Sequence, residues 1–130
     1  MESVPPQPTP ADAPPVLLVD DEPQLLAAMR EGLAAEFAVE TAGSAAEAET
    51  LLGARPFAMV VCDHVMPGET GLDFLVRMRE RHPRTKRILL TGYMNPELLS
   101  RSIAIAELSA CLIKPVKAAE LAAAVRQALA

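Results

Sequence analysis

Five polar residues follow apolar runs of the sequence at widely separated points. Asp20 and Asp21 come directly after one such run, and Asp63, Thr91 and Lys114 each come after another. Runs that are apolar throughout are typical of strands buried on both faces of a parallel sheet. Because open α/β sheets bind ligands outside the carboxyl ends of their strands, we expect these side chains to meet at one edge. The sequence therefore predicts a pocket with three carboxylates, a hydroxyl and an ammonium group.

Such a pocket suits metal-assisted phosphoryl transfer. Three neighbouring carboxylates raise one another's pKa values unless a cation lies among them, and hard oxygen ligands favour Mg²⁺. A carboxylate can then attack a phosphoryl donor while the metal and a lysine neutralise charge and a threonine donates a hydrogen bond. Asp63 is the best nucleophile because its strand is central, and Asp20 and Asp21 on the neighbouring strand are the predicted metal ligands.

The elements that position these residues alternate between strand and helix. Ser44 is a predicted helix N-cap, Asp21 a further possible cap and Gly53 a helix stop. Asn95 and Pro96 are predicted to begin the fourth helix, and a last helix is predicted from about Lys117. Five β–α units with apolar central strands predict a doubly wound α/β fold with a five-stranded parallel sheet. The predicted strands cover residues 16–19, 37–42, 57–62, 87–90 and 110–113.

Composition limits the domain organisation. The chain has 130 residues, of which 51% are hydrophobic, so we expect one compact domain. The first fifteen residues contain six prolines and one large apolar residue, Val4, which favours a disordered proline-rich tail over residues 1–15. The folded domain is then predicted over residues 16–130.

Charge and sequence runs exclude several classes of function. The net charge of −5 argues against direct nucleic-acid binding, which needs clustered Lys and Arg. The sequence has no recognisable signal peptide and no apolar run of bilayer-spanning length, so we expect a cytoplasmic protein without a membrane partner. Cys62 and Cys111 are expected to be free thiols, and His64 and Glu69 to be solvated side chains of a loop.

Four motifs together resemble the response regulator receiver domains of two-component signalling. They are LLVDDEP, VVCDHVMPGETGLDFL, RILLTGY and LIKP, in the family's order, and the resemblance covers about residues 16 to 129. It implies a (βα)5 flavodoxin-like fold with strand order 2-1-3-4-5. It also implies a signalling domain that accepts and loses its own phosphoryl group, rather than an enzyme acting on external substrates.

The resemblance assigns roles to individual residues. Asp63 matches the phosphoacceptor, Asp20 and Asp21 the acidic pair, Thr91 the switch hydroxyl and Lys114 the phosphate-contacting lysine. The implied cofactor is Mg²⁺, with Mn²⁺ as a possible substitute, and Asp63 is itself an implied metal ligand beside Asp20 and Asp21.

Two further features of the site follow from the same resemblance. The backbone carbonyl of Val65 is an implied metal ligand, and Pro115 matches the family's cis-proline. The family usually has an aromatic residue where this chain has Cys111, which leaves the route of switching open. The stretch over residues 105–110 lacks the family's usual Gly-Ala turn, so the end of the fourth helix cannot be placed from sequence.

The implied partners are a sensor histidine kinase or phosphotransfer protein, and a downstream protein or an output domain missing from this chain. A phosphorylation-dependent homodimer is possible. Two alternatives remain open at this point. One is a phosphatase-like enzyme that forms an aspartyl phosphate, and the other is a degenerate receiver that binds partners without phosphorylation.

Overall fold

The computed structural model describes residues 12–92 and 95–130, and the strands and helices of these residues alternate along the chain. Most of the predicted tail, residues 1–11, lies outside the described residues. The first strand begins at Pro15, one residue before the predicted start of the domain. In chain order the elements are β1 (Pro15–Val19), α1 (Pro23–Leu33), β2 (Ala38–Ala42), α2 (Ala45–Ala54), β3 (Met59–Asp63), α3 (Gly71–Arg81), β4 (Lys86–Thr91), α4 (Pro96–Ala106), β5 (Ala110–Ile113) and α5 (Ala118–Leu129).

The five strands form one parallel sheet in the order β2-β1-β3-β4-β5. This is the doubly wound, flavodoxin-like topology that the sequence predicts. In the register of the central strands, Val19 pairs with Cys62 and Asp63 with Leu90. The ends of β1, β3 and β4 therefore lie side by side.

Apolar clusters cover both faces of the sheet. On one face, Leu17 and Leu89 pack in a cluster with side chains of α2, α3 and α4. On the other, Val16 and Ile88 pack with side chains of α1 and α5, including Leu121 and Val125. Alternate residues of each central strand thus face opposite clusters, which explains why those strands are apolar throughout. Within the described residues, no helix combines the length and the apolarity needed to cross a bilayer.

Two of the predicted helix ends are wrong. The N-cap of α1 is Glu22 rather than Asp21, and the backbone N–H of Glu22 donates instead to Oδ1 of Asp20 at 3.0 Å. Helix α2 continues through Gly53 to Ala54 and ends at Arg55, which is extended. Glycine is favoured at a helix end where the chain turns into the left-handed conformation, and this helix ends without such a turn. The cap at Ser44 and the start of a helix at Asn95 and Pro96 are confirmed. The side chains of Ser44 and Asn95 each accept a backbone N–H three residues ahead.

The end of α4, which the sequence left open, is closed by a non-glycine residue. Glu107 adopts the left-handed conformation with φ of 49° and donates its N–H to the carbonyl of Ile103. Arg79 donates to the carbonyl of Ile105 at 2.7 Å, and the buried Arg87 donates to that of Ala106 at 2.8 Å. These guanidinium groups satisfy the last carbonyls of the helix, where a positive charge is favourable.

Helix α3 begins in very close contact with the end of β3. A Cβ on Gly71 would press against the carbonyl of Asp63 and lie 2.9 Å from Cα of His64. The N–H of Gly71 donates to the carbonyl of His64 at 2.8 Å, so the helix cannot move away without losing this bond. Glycine is therefore required here for close approach.

Gly71→Ala is expected to destabilise the domain by about 1–3 kcal/mol, the usual penalty of overpacking. Gly53→Ala is the matched control, because a Cβ there would meet nothing within 4 Å, and it should stabilise α2 by up to about 1 kcal/mol. Urea unfolding of both variants measures the difference. Equal stabilities would contradict the close contact.

Candidate functional site

Two buried acids and one exposed acid lie at the carboxyl edge of the sheet. Asp20 directly follows β1, Asp63 is the last residue of β3, and both side chains are buried, whereas Asp21 is exposed. Each of the three offers a carboxylate oxygen within 4.8 Å of the other two. The structure thus brings together the three acids that the sequence singled out.

Lys114 lies among these acids although it is far from them in sequence. Its Nζ is 2.8 Å from Oδ1 of Asp63 and 3.3 Å from Oδ2 of Asp20. The residue follows the edge strand β5, and its backbone N–H donates to the carbonyl of Thr91 at 2.7 Å. One ammonium group therefore compensates two buried carboxylates.

The surroundings shift the pKa values of two of these groups. Burial, the largest influence on Asp20, raises the pKa of its carboxyl group against the opposing effects of the Glu22 N–H and the Lys114 charge. Burial is also the largest single influence on Lys114 and lowers its pKa, but the bond to Asp63 and the charges of both acids outweigh it. The pKa of Lys114 is therefore raised overall, and the lysine is charged at neutral pH.

Two further residues predicted to belong to the site are Thr91 and Val65. Thr91 ends β4, is 1% exposed, and is adjacent to Leu90, the register partner of Asp63. Val65 lies in the loop after β3 with its side chain 73% exposed. The role of its carbonyl as a metal ligand remains a prediction.

The Lys114–Pro115 peptide bond is cis, as the sequence resemblance implied.

In the β3–α3 loop, residues 64–70, the side chains of Glu69 and His64 are less solvated than expected. Glu69 accepts two hydrogen bonds from Arg77, at 2.6 and 2.8 Å, and Arg77 also donates to Glu49 of α2. The bond to Arg77 is the main cause that lowers the pKa of Glu69. His64 is half-buried, and its Nδ1 is buried without a hydrogen-bond partner among the described residues. The contact of Glu69 with Arg77 spans eight residues and begins outside the helix, and the burial of His64 follows no helical or strand period. No sequence pattern therefore signals either feature.

The donor set fits a hard divalent cation. Mg²⁺ is usually held by one or two carboxylates and retained waters, and the three acids supply carboxylate oxygens within reach of a common point. Thiols are soft donors that favour other metals. Both cysteines, Cys62 and Cys111, are free, and Cys62 is fully buried in the apolar cluster.

The comparisons with known proteins agree on one family. Residues 16–126 match the family model described as response regulator receiver domain. The chain is 40% identical over 114 residues to the hydrogenase transcriptional regulatory protein HoxA of Cupriavidus necator, an alignment covering 88% of this chain and 24% of that protein. The chain thus spans about a quarter of the length of HoxA from Cupriavidus necator and of HoxA from Bradyrhizobium diazoefficiens.

Solved structures show the same likeness. The signal receiver domain of an HD domain-containing protein from Pseudomonas fluorescens superposes with a TM-score of 0.82 at 33% identity, over 90% of this chain and 94% of that one. The chemotaxis response regulator CheY4 of Vibrio cholerae superposes with a TM-score of 0.81 at 26% identity, over 90% and 99%.

If the acidic cluster binds Mg²⁺, the ion should stabilise the folded domain by about 2.7 kcal/mol at a concentration one hundred times its dissociation constant. Asp21→Ala should remove most of this stabilisation. Glu22→Ala is the matched control, since it removes the same charge from an acid outside the cluster. Unfolding midpoints with and without MgCl₂ measure the effect, and equal Mg²⁺ stabilisation of both variants would exclude Asp21 as a ligand.

Proposed function

This chain belongs to the response regulator receiver domain family, and on that premise we propose that it accepts a phosphoryl group on Asp63 with the help of Mg²⁺. The observation that carries the proposal is the contact of Lys114 Nζ with both Asp63 and Asp20 beside the exposed Asp21. Such a cluster combines a nucleophile, a fixed positive charge and metal-binding oxygens at one sheet edge.

The proposed reaction is a direct displacement at phosphorus. A carboxylate oxygen of Asp63 attacks the phosphorus atom of a phosphohistidine or a small phosphodonor and forms the acyl phosphate. The bond from phosphorus to the donor breaks, and the donor leaves with its electron pair. Hydrolysis of the acyl phosphate by water later restores the carboxylate and releases inorganic phosphate.

The residues around Asp63 have complementary roles in this proposal. Asp20, Asp21, Asp63 and the backbone carbonyl of Val65 would hold the ion, whose charge would neutralise that of the transferred oxygens. Lys114 exchanges part of its contact with Asp63 for a phosphoryl oxygen. The hydroxyl group of Thr91 donates a hydrogen bond to another phosphoryl oxygen. This bond links phosphorylation of Asp63 to the position of the end of β4.

The partners follow from the family and from the length of the matched regulators. We infer that the phosphodonor is a sensor histidine kinase or a phosphotransfer protein, and that the state of the domain is read by an output domain or a separate downstream protein. A homodimer formed on phosphorylation is compatible with this reading. Turnover of external substrates is not expected, since the residue two positions beyond Asp63 is Val65 rather than a second acid.

Asp63→Asn should abolish labelling by a small phosphodonor such as acetyl phosphate, because the amide cannot form the acyl phosphate. Labelling of the parent should require Mg²⁺ or Mn²⁺. Intact mass spectrometry measures the single phosphoryl adduct. The matched control is Asp73→Asn, at an acid of the first turn of α3, which should label as the parent does.

Undiminished labelling of Asp63→Asn would remove the central assignment. Multiple turnover of a small phosphate ester without a stable adduct would favour the phosphatase-like alternative. A parent that binds Mg²⁺ but takes no label would favour the degenerate receiver.

Switching in this chain should depend on Thr91 rather than on the position that is usually aromatic. Cys111 is half-buried and packs beside Leu89, and its small side chain has no ring to exchange between two positions. Tyr93 and Met94, which we expect to contribute, lie outside the described residues.

Beryllofluoride, a mimic of the phosphoryl group, should therefore change amide hydrogen exchange in α4 of the parent and of Cys111→Ala, but much less in Thr91→Ala. Cys111→Ala should also lower the stability by about 1 kcal/mol through a small cavity. A response that is lost in Cys111→Ala and kept in Thr91→Ala would contradict this route.

A further inference from the structure

The β3–α3 loop, which carries Val65, is fixed at both of its ends by backbone hydrogen bonds. The N–H of His64 donates to the carbonyl of Leu90, and the N–H of Gly71 returns to the carbonyl of His64, each at 2.8 Å. Thr70 caps α3 by accepting the N–H of Asp73. Between these ends the backbone turns through Gly68, whose φ of 92° is left-handed.

Two side chains attach this loop to the rest of the domain. Met66 packs against the apolar cluster, and Glu69, near the α3 end of the loop, is held by an ion pair. Arg77 forms a two-pronged contact with Glu69 through Nη1 and Nη2, and the same guanidinium contacts Glu49 through Nε and Nη2. Less than a third of each of the three side chains is exposed. A fork of this kind fixes direction as well as distance.

Arg77 is itself rigidly placed. Its guanidinium carbon lies 5.7 Å from the ring centre of Phe74, which is fully buried, and Glu49 holds it from α2. Arg81 also contacts Glu49, from the next turn of α3. Glu69 is therefore tied to two helices through a single side chain, and it lies four residues after Val65 in the same loop.

We propose that the contact of Arg77 with Glu69 is a clamp that positions the β3–α3 loop for metal binding, so that Arg77 and Glu69 are positioning residues of the phosphoryl-transfer site. The clamp orients the loop that presents the carbonyl of Val65 beside the three acids. Neither residue touches the ion or the phosphoryl group. This inference rests on the proposed function, since it concerns the same site.

The clamp and simple electrostatics predict opposite results for one variant. Removing the negative Glu69 weakens the attraction for Mg²⁺ through space, whereas removing the positive Arg77 strengthens it. Loss of the clamp weakens Mg²⁺ binding in both cases, because the loop loses its orientation. Arg77→Lys keeps the charge but loses the fork, so electrostatics alone predicts no change and the clamp predicts weaker binding.

The test is Mg²⁺ titration by calorimetry of the parent chain and of Glu69→Gln, Arg77→Met and Arg77→Lys. Each variant should bind Mg²⁺ more weakly by roughly three- to tenfold, less than the 10- to 100-fold typical of removing a group that contacts a metal ligand directly. The double variant Glu69→Gln/Arg77→Met should be no weaker than either single variant, since both remove one interaction. Hydrogen exchange over residues 64–70 should become faster in all of them.

The matched control is Arg81→Met, which removes the same charge as Arg77→Met but breaks only a contact with Glu49. It should leave Mg²⁺ affinity unchanged or slightly higher. Circular dichroism identifies any unfolded variant. Gln has nearly the same size as Glu, so Glu69→Gln is expected to fold. Glu69→Gln and Arg77→Lys therefore test the clamp even if Arg77→Met fails to fold.

Tighter Mg²⁺ binding in Arg77→Met, or parent affinity in both Glu69→Gln and Arg77→Lys, would overturn the clamp while leaving the proposed function intact. A parent that binds no Mg²⁺ would instead overturn the proposed function, and the clamp with it.

Discussion

The attraction between the Lys114 ammonium and the carboxylates of Asp63 and Asp20 is the interaction on which the functional edge depends. Two unit charges about 4 Å apart interact by roughly 4 kcal/mol at an effective dielectric constant of about 20. That energy is a large part of the stability of a small domain. Uncompensated carboxylates at adjacent strand ends would therefore oppose folding, and Lys114 allows the acids to remain together.

The opposite edge of the sheet carries the complementary charge. Residues 79–87 contain five of the twelve Lys and Arg residues of the chain, yet several of these side chains bind helix ends. Lys86 donates to the carbonyl of Ala128 near the end of α5, and Arg79 and Arg87 donate to the last carbonyls of α4. Since parallel strands and their helices run in opposite directions, helix carboxyl ends gather at this edge, where cations are favoured. These basic residues thus stabilise helix ends. Their clustering in the sequence therefore does not contradict the argument from net charge against nucleic-acid binding.

The sequence predicted those features that depend on long apolar runs and missed those that depend on single contacts. Every central strand was located, because burial on both faces leaves an unbroken apolar signal, and the meeting of Asp63 with Lys114 followed from parallel topology. The left-handed Glu107 was not predictable, because tertiary bonds from Arg79 and Arg87 hold a conformation that its residue type disfavours. Glu69 was misjudged for the same reason, since its partner is placed by α3 rather than by local sequence.

The short connection from Thr91 to α4 offers a physical route from the site to the surface. Residues 92–95 are all that separates the end of β4 from Pro96, and Asn95 fixes the helix start by accepting the N–H of Leu98 at 2.9 Å. Cys62, Leu89 and Cys111 pair across the sheet beneath the apolar cluster that includes Ala106 of α4. Because this row contains no aromatic ring, the proposed switching role of Thr91 relies on its closeness in sequence to the start of α4 rather than on a ring in the row.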